Sequence, residues 1–239
     1  MSLSVIIPVY NESKNIQNTI NKLKIVQKKI KKTNLIFIDD FSNDNSFEKL
    51  NILSKKYPYV KIYKNKKKGL GSAIELGIKK SKFRYVAIFM ADLSDSPKDL
   101  IRYYRLINKN KCDAILGSRF IKNSKIKNYP FIKYFLNRIF NNFVKLIFFS
   151  NYNDFTNAFK IYKKEILKNL LPIVSENFNV FLEIPLKIIS RKYKYQIMSI
   201  NWQNRKVGKS NFKIKELGSM YIFTLLYCII EKILLNKKK

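Results

Sequence analysis

Five short apolar runs rich in β-branched residues recur through the first 120 residues, separated by four segments with helical spacing. The runs are "LSVIIPV" (3–9), "NLIFIDD" (34–40), "YVKIYKN" (59–65), a run over 84–90, and "CDAILGS" (112–118). Runs this short and apolar read as buried strands. Between them, 13–31 carries Ile16, Ile20, Leu23 and Val26 on one helical face, and 46–56, 70–81 and 97–109 also read as helices. Strand–helix alternation with apolar strands predicts an α/β fold, a mostly parallel sheet covered by helices. Ligands of such sheets bind beyond the carboxyl ends of the strands.

Those ends are where the polar residues gather. The first strand runs into "PVYNE", the second into "IDDFSND", the fourth into "MADLSD" and the fifth into "GSRF". An acidic loop alone is ordinary, but four such clusters on one edge predict a site.

In "FMADLSDSP", Asp92 and Asp95 flank a turn at the end of an apolar run. Hard divalent cations take carboxylate oxygens, so the pair could hold Mg2+ or Mn2+. The plainer role for Asp95 is a helix cap, but Ser96, Pro97 and Asp99 already provide cap, first helical residue and first-turn acid. In "IDDFSND", one of Asp39 and Asp40 could accept from a base or ribose while the other braces the loop; an Asx turn is the alternative. Gly69 and Gly71 precede a helix, where they allow a tight turn or close approach of backbone to a ligand. Arg119, beside the acidic edge, suits a phosphate.

In chain order, "SVIIPVYNE", "FIDDFSND", "KGLGSAIELG", "MADLSDSP", "GSRF", "DFTNAFKIYKKEIL" and "WQNRKVGKSNF" resemble the motifs of family 2 glycosyltransferases, in particular the branch that makes polyprenyl-phosphate sugars. The resemblance covers about residues 3–213. It implies a GT-A nucleotide-sugar fold and a divalent metal. It places Pro8, Tyr10, Asn11 and Glu12 in the nucleoside pocket, Asp40 on the base or ribose with Asp39 nearby, and Asp92 on the metal. It places Arg119 on phosphate, joined by Lys133, Asn137 and Arg138 of the next helix. Arg205, Lys209 and Ser210 resemble a loop that closes over donor or acceptor. Met90 departs from the pattern, because the family usually has an acid there. Three readings follow in order: Asp92 suffices with donor phosphate and water; Asp95 substitutes; or donor binding is weak or lost.

The resemblance implies an inverting enzyme that moves a hexose from a nucleotide-diphosphate sugar, of GDP-mannose or UDP-glucose type, to a polyprenyl phosphate. The chain has no histidine, and a phosphate acceptor, mostly dianionic at neutral pH, needs no strong base. Two alternatives stand beside it. One is transfer to a sugar hydroxyl, with Asp154 or Glu183 as base. The other is a basic binding module with a decayed metal site.

Charge frames the partners. The net charge is +32, with 41 lysines against 7 arginines. Such a balance fits an anionic partner or compositional drift. Scattered arginines argue against nucleic acid, which leaves an acidic membrane surface or phosphorylated substrates; an oligomer stays open. Two lone cysteines, Cys112 and Cys228, fit a reducing compartment. The start of the chain lacks the pattern of a signal peptide. Residues 131–149 form an amphipathic helix with Phe131, Ile132, Phe135, Leu136, Ile139, Phe143 and Ile147 on one face. Such a helix lies either in a bilayer interface or on the core with a wet side. The apolar stretch 220–235 is 16 residues long, ~24 Å as a helix and short of a ~30 Å hydrocarbon core. Lys213, Lys215 and Lys237–Lys239 flank it. The expected organisation is a catalytic domain over 1–213 and a membrane-associated helix over 214–239, in-plane or re-entrant on the cytoplasmic face.

Overall fold

The structure is a computed structural model that describes residues 2–204 and 214–237. Its chain order is β1 (Ser2–Val9), α1 (Ile16–Lys29), β2 (Lys32–Asp39), α2 (Ser46–Lys56), β3 (Val60–Lys64), α3 (Leu70–Lys80), β4 (Tyr85–Ile88), α4 (Pro97–Lys109) and β5 (Ala114–Ser118). Then follow β6 (Lys125–Lys127), α5 (Phe131–Phe148), β7 (Lys160–Lys163), α6 (Lys164–Asn169), α7 (Val180–Ser190), β8 (Tyr195–Ser199), β9 (Asn201–Gln203) and α8 (Ile214–Lys237). The predicted alternation holds, with ends trimmed by a few residues. Helix α1 starts at Ile16 rather than 13, because residues 13–15 form a turn in which the Glu12 carbonyl accepts from the Asn15 and Ile16 amides.

Seven strands form one sheet in the order β3-β2-β1-β4-β7-β5-β8. All neighbours are parallel except β7, which runs antiparallel to both β4 and β5. Side chains alternate across each strand. In β1, Leu3, Val5, Ile7 and Val9 join a core with α1 and α4, while Ile6 joins a second core under α3, α7 and α8. Burial on both faces is why these strands read as unbroken apolar runs. A two-stranded sheet, β6 with β9, sits apart and pairs Ile126 with Trp202.

Helix α5 turns much of its apolar surface outward. Phe131, Ile132, Phe135, Leu136, Ile139 and Phe143 are exposed, with Phe131 at 79%, whereas Asn141 is fully buried. Val144 and Phe148 pack into the core with Ile147 against them, while Asn142 and Lys145 are exposed, so the helix buries a mixed face and leaves most of the predicted apolar face outside. Asn141 accepts from the Phe155 amide at 2.5 Å, and Asn137 donates to the Thr156 hydroxyl at 2.7 Å. Helix α8 has 24 residues, ~36 Å, but its apolar window of 18 residues spans only ~27 Å, so the shortfall expected from the sequence narrows. Within it Gly218–Leu235 is long and apolar enough to cross a membrane by length and composition, and 22% of that window is buried. Tyr221, Thr224, Leu225 and Cys228 pack inward, while Ile222, Phe223, Leu226, Ile230, Ile233 and Leu234 face out. The two helices touch: the Phe140 and Tyr221 rings lie 5.5 Å apart, and Lys232 Nζ sits 5.0 Å over Phe148.

Candidate active site

Strands β1, β2, β4 and β5 are parallel, so their carboxyl ends share one edge, and antiparallel β7 begins there. The loops after β1 and β2 are laced together. Asn11 receives the Asn43 amide on Oδ1 at 2.7 Å, and its own amide donates to Ser42 Oγ at 3.0 Å. The Glu12 amide donates to Ser46 Oγ at 3.0 Å. Asp44 accepts from the Ser13 and Ser46 amides in the same turn; against desolvation, hydrogen bonds from the Ser46 and Ser13 side chains, then from those amides, hold its carboxyl below the usual range. Pro8 is buried in β1 opposite Ile38. Tyr10 stands half-buried at the rim, with Lys68 Nζ 5.7 Å from its ring.

The two acids of β2 take different roles. Asp40 braces the loop: its Oδ1 accepts from the Gly69 amide at 2.9 Å and from Asn65 Nδ2 at 2.8 Å. Asp39 is 5% exposed, and its Oδ1 has no partner. A buried acceptor left open costs free energy until something donates to it. The open buried acceptor is thus on Asp39, while Asp40, which the resemblance puts on the base or ribose, holds the 65–69 loop. The glycine approach is also reassigned. Gly69 adopts φ 138°, and a Cβ on Gly71 would stand 1.7 Å from the Ser175 carbonyl oxygen. The Gly71 amide bonds the Glu176 carbonyl at 3.0 Å. The space that glycine opens there is filled by the 175–176 backbone, not by a ligand.

Beyond β4 and β5 lies a cavity of about 590 Å³. Met90, Asp92, Ser94, Asp95, Arg119 and Lys133 line its polar end. Pro130, Leu136, Phe140, Tyr221 and Ile222 line its apolar end. Asp92 accepts from the Ser94 amide at 3.0 Å. The helix cap is Ser96 with Pro97 at the first position, so Asp95 is not spent there. Instead, Asp95 is 5% exposed and accepts from the Met90 backbone amide. Burial, then the neighbouring Asp92 charge, pushes its carboxyl up to about 8. Its Oδ2 has no partner. Position 90 therefore serves the acidic pair through its main chain. Among the described residues no group of three metal-ligating side chains converges. Magnesium commonly takes one or two carboxylates with substrate phosphate and water, and an open buried oxygen on Asp95 beside Asp92 fits that requirement.

Arg119 lines the cavity but is not a free surface cation. Its Nε and Nη2 donate to Asp154 Oδ2 and Oδ1 at 2.9 and 2.7 Å, and its amide also donates to Oδ2 at 2.8 Å. Arg119 is 7% exposed and Asp154 fully buried. The rings of Phe120, Tyr129 and Trp202 surround the guanidinium at 5.2 to 5.5 Å. Asp154, once a candidate base, is thus the partner of this arginine. Glu183, the other candidate, is fully buried, pairs with Lys187 at 2.6 Å, and accepts from the Val174 and Ser175 amides. Both carboxylates are held in buried ion pairs, and neither lines the cavity described above. Lys133 and Asn137 line the cavity as expected. Arg138 turns away, donating to the Asn153 carbonyl at 3.1 Å with Phe120 4.3 Å from its guanidinium. Arg205, Lys209 and Ser210 lie outside the described residues.

Sequence reasoning missed Lys160, Tyr129 and Trp202. Lys160 is 1% exposed at the start of β7, its ammonium caged by the Phe155, Asn157 and Phe181 carbonyls. Burial pulls its pKa down to about 7. A lysine inside the apolar run "AFKIY" was the available signal.

With the fold and the site's geometry described, comparison with known proteins gives the family. Residues 4–171 match Glycosyl transferase family 2, and the chain belongs to that family. It is 31% identical over 222 residues to a dolichol-phosphate mannosyltransferase of Pyrococcus furiosus, covering 91% of this chain and 61% of that protein. It is 22% identical over 232 residues to a polyprenol monophosphomannose synthase of Mycolicibacterium smegmatis, covering 90% of this chain and 86% of that one. A solved structure of glucosyl-3-phosphoglycerate synthase from Mycobacterium tuberculosis, in complex with Mn2+, UDP and glucosyl-3-phosphoglycerate, superposes with a TM-score of 0.72. At 15% identity over 95% of this chain and 80% of that one, the likeness is one of fold, the GT-A arrangement.

Proposed function

We propose that this protein transfers a hexose, with inversion, from a nucleotide-diphosphate sugar to a polyprenyl monophosphate. One observation carries the reading: a single cavity joins the Asp92–Asp95 pair, the Arg119 and Lys133 cations, and an apolar end whose Leu136 and Ile222 belong to the exposed faces of α5 and α8. An acceptor with a phosphate head and a hydrocarbon tail matches that sequence of environments. The names of the relatives from P. furiosus and M. smegmatis support the same substrate class. The hydroxyl-acceptor alternative loses ground because Asp154 and Glu183 are tied up in buried ion pairs.

In this reading Asp39 and the braced loops hold the nucleoside, while Asp92 and Asp95 hold a divalent cation. Such a cation offsets the charge that develops on the departing diphosphate. Arg119 and Lys133 hold the acceptor phosphate in line with the anomeric carbon. A phosphate oxygen bonds to that carbon as its bond to the diphosphate breaks, and the diphosphate takes the electron pair. The acceptor phosphate is mostly dianionic at neutral pH, so no side chain need remove a proton. The exposed faces of α5 and α8 lie in the interface of the cytoplasmic leaflet, with lysines on anionic headgroups.

The test is sugar transfer to a short polyprenyl phosphate from GDP-mannose, UDP-glucose and UDP-N-acetylglucosamine, with and without Mg2+ or Mn2+. Metal-dependent product that Asp92→Asn abolishes supports the reading. No product from any donor, in a folded protein, refutes it.

A further inference from the structure

We propose that the indole of Trp202 is the surface on which the donor hexose packs during transfer. The inference rests on the function read above and assigns a residue to the sugar itself.

Trp202 is the only tryptophan in the chain. Its position is fixed from both ends of the polar site. Its backbone forms an antiparallel bridge with Asp95, and the next residue, Gln203, donates its amide to the Ser94 carbonyl at 3.2 Å. On the other side its ring lies 5.5 Å from the Arg119 guanidinium and 5.0 Å from the Tyr129 ring. Behind it, the Asn201 amide donates to buried Asp99 at 2.9 Å, which ties β9 to α4. The ring remains half-buried and lines the cavity.

In the transfer the hexose is bonded first to a diphosphate beside Asp92 and Asp95, then to a phosphate beside Arg119. It must therefore occupy the space between those groups. Trp202 is the large aromatic that touches both: the acidic loop through its backbone and Arg119 through its ring. A sugar presents one face of C–H bonds, which packs well against the electron-rich face of an indole. The same ring helps keep water from the Arg119–Asp154 pair, so phosphate is met in a drier environment. Stacking also orients the ring of the sugar without consuming its hydroxyls.

The proposal separates the sugar from the nucleotide. In the full-length protein with Mg2+, GDP-mannose or UDP-glucose should shift the emission of the single tryptophan. The matching nucleoside diphosphate, shown to bind by calorimetry, should leave it unchanged. Trp202→Leu should weaken the nucleotide sugar about tenfold in affinity and leave the nucleoside diphosphate as it was. Trp202→Phe should recover most of the loss. Equal emission shifts from both ligands, or equal weakening of both by Trp202→Leu, would make the residue structural and overturn the proposal. Should Trp202→Leu fail to fold, the emission comparison on the unaltered protein decides alone. If no nucleotide sugar of the panel binds, the transferase reading falls and takes this inference with it. If one binds and is transferred without an emission shift, only this inference falls.

Discussion

Arg119 and Asp154 form a bidentate pair, Nη2 to Oδ1 at 2.7 Å, in which the arginine is 7% exposed and the aspartate not at all. Breaking one side of a buried pair strands the other charge, at a cost of about 3–5 kcal/mol. Arg119→Ala should therefore lower the melting temperature by roughly 10 °C in a chain of this size. The double variant Arg119→Met with Asp154→Leu should regain most of that stability and none of the activity. Thermal unfolding followed by circular dichroism checks it. An unchanged melting temperature for Arg119→Ala would mean that the pair is not sealed from water.

Asp95 sets a pH dependence. Its folded carboxyl keeps a proton to about 8, against 3.8 for an ordinary one. Between those values the folded state binds more protons than the unfolded one. The group's contribution to stability is thus complete below 3.8 and is lost as pH rises to about 8. A cation needs the carboxylate, so its binding displaces that proton. Mg2+ affinity in the presence of a nucleoside diphosphate should rise up to about tenfold per pH unit below 8 and then level off. Asp95→Asn should flatten the slope. Calorimetry in buffers of different ionisation enthalpy counts the proton, and a count of zero at pH 7 would refute the coupling.

Two glycines give opposite expectations. At Gly71 a methyl group would stand 1.7 Å from the Ser175 carbonyl oxygen, which is backbone and cannot yield without moving the loop. Gly71→Ala should cost several kcal/mol, on the order of 3 or more, and weaken nucleotide binding through the Gly69–Asp40 brace. At Gly218, in exposed helix, nothing lies within 4 Å. Gly218→Ala should add about 0.5–1 kcal/mol. Chemical denaturation of both variants reads the contrast directly.

The outward face of α5 is open to a direct test. Ile139 and Phe143 are 52% and 53% exposed, on a helix that buries Asn141, Val144 and Phe148 instead. Ile139→Asp with Phe143→Asp should leave melting unchanged and reduce sedimentation with anionic vesicles at least tenfold, since each apolar side chain buried is worth ~1.5–3 kcal/mol. Retained vesicle binding would move the attachment to α8 alone.

Much of this was legible in the chain. Burial on both faces writes each parallel strand as an unbroken apolar run, so the alternation up to Ser118 could be read directly. The Ser96–Pro97–Asp99 cap freed Asp95 for another role before any coordinates. What stayed hidden depends on partners far away in sequence. Nothing local distinguishes Asp39 from Asp40; Asn65 and Gly69, 25 and 29 residues on from Asp40, do so. Asp154 reads as a free acid until Arg119, 35 residues earlier, is found on it. Trp202 lies in a three-residue strand whose partner, β6, is equally short, and runs so brief carry no periodicity. Helix α5 shows its amphipathic pattern plainly, but periodicity gives the existence of two faces and not which one meets water.

Strand β7 enters between β4 and β5 against the direction of both. During synthesis, β1 to β4 can zip together as soon as residue 88 has emerged, whereas β5 has no neighbour in that sheet until Lys160 and its strand arrive. The N-terminal four-stranded half can therefore form on the nascent chain first, while β5 waits for a single four-residue insert. A chain stalled before that point would expose the open edge of β4 and the whole of unpaired β5, and would be open to pairing with its neighbours on the polysome.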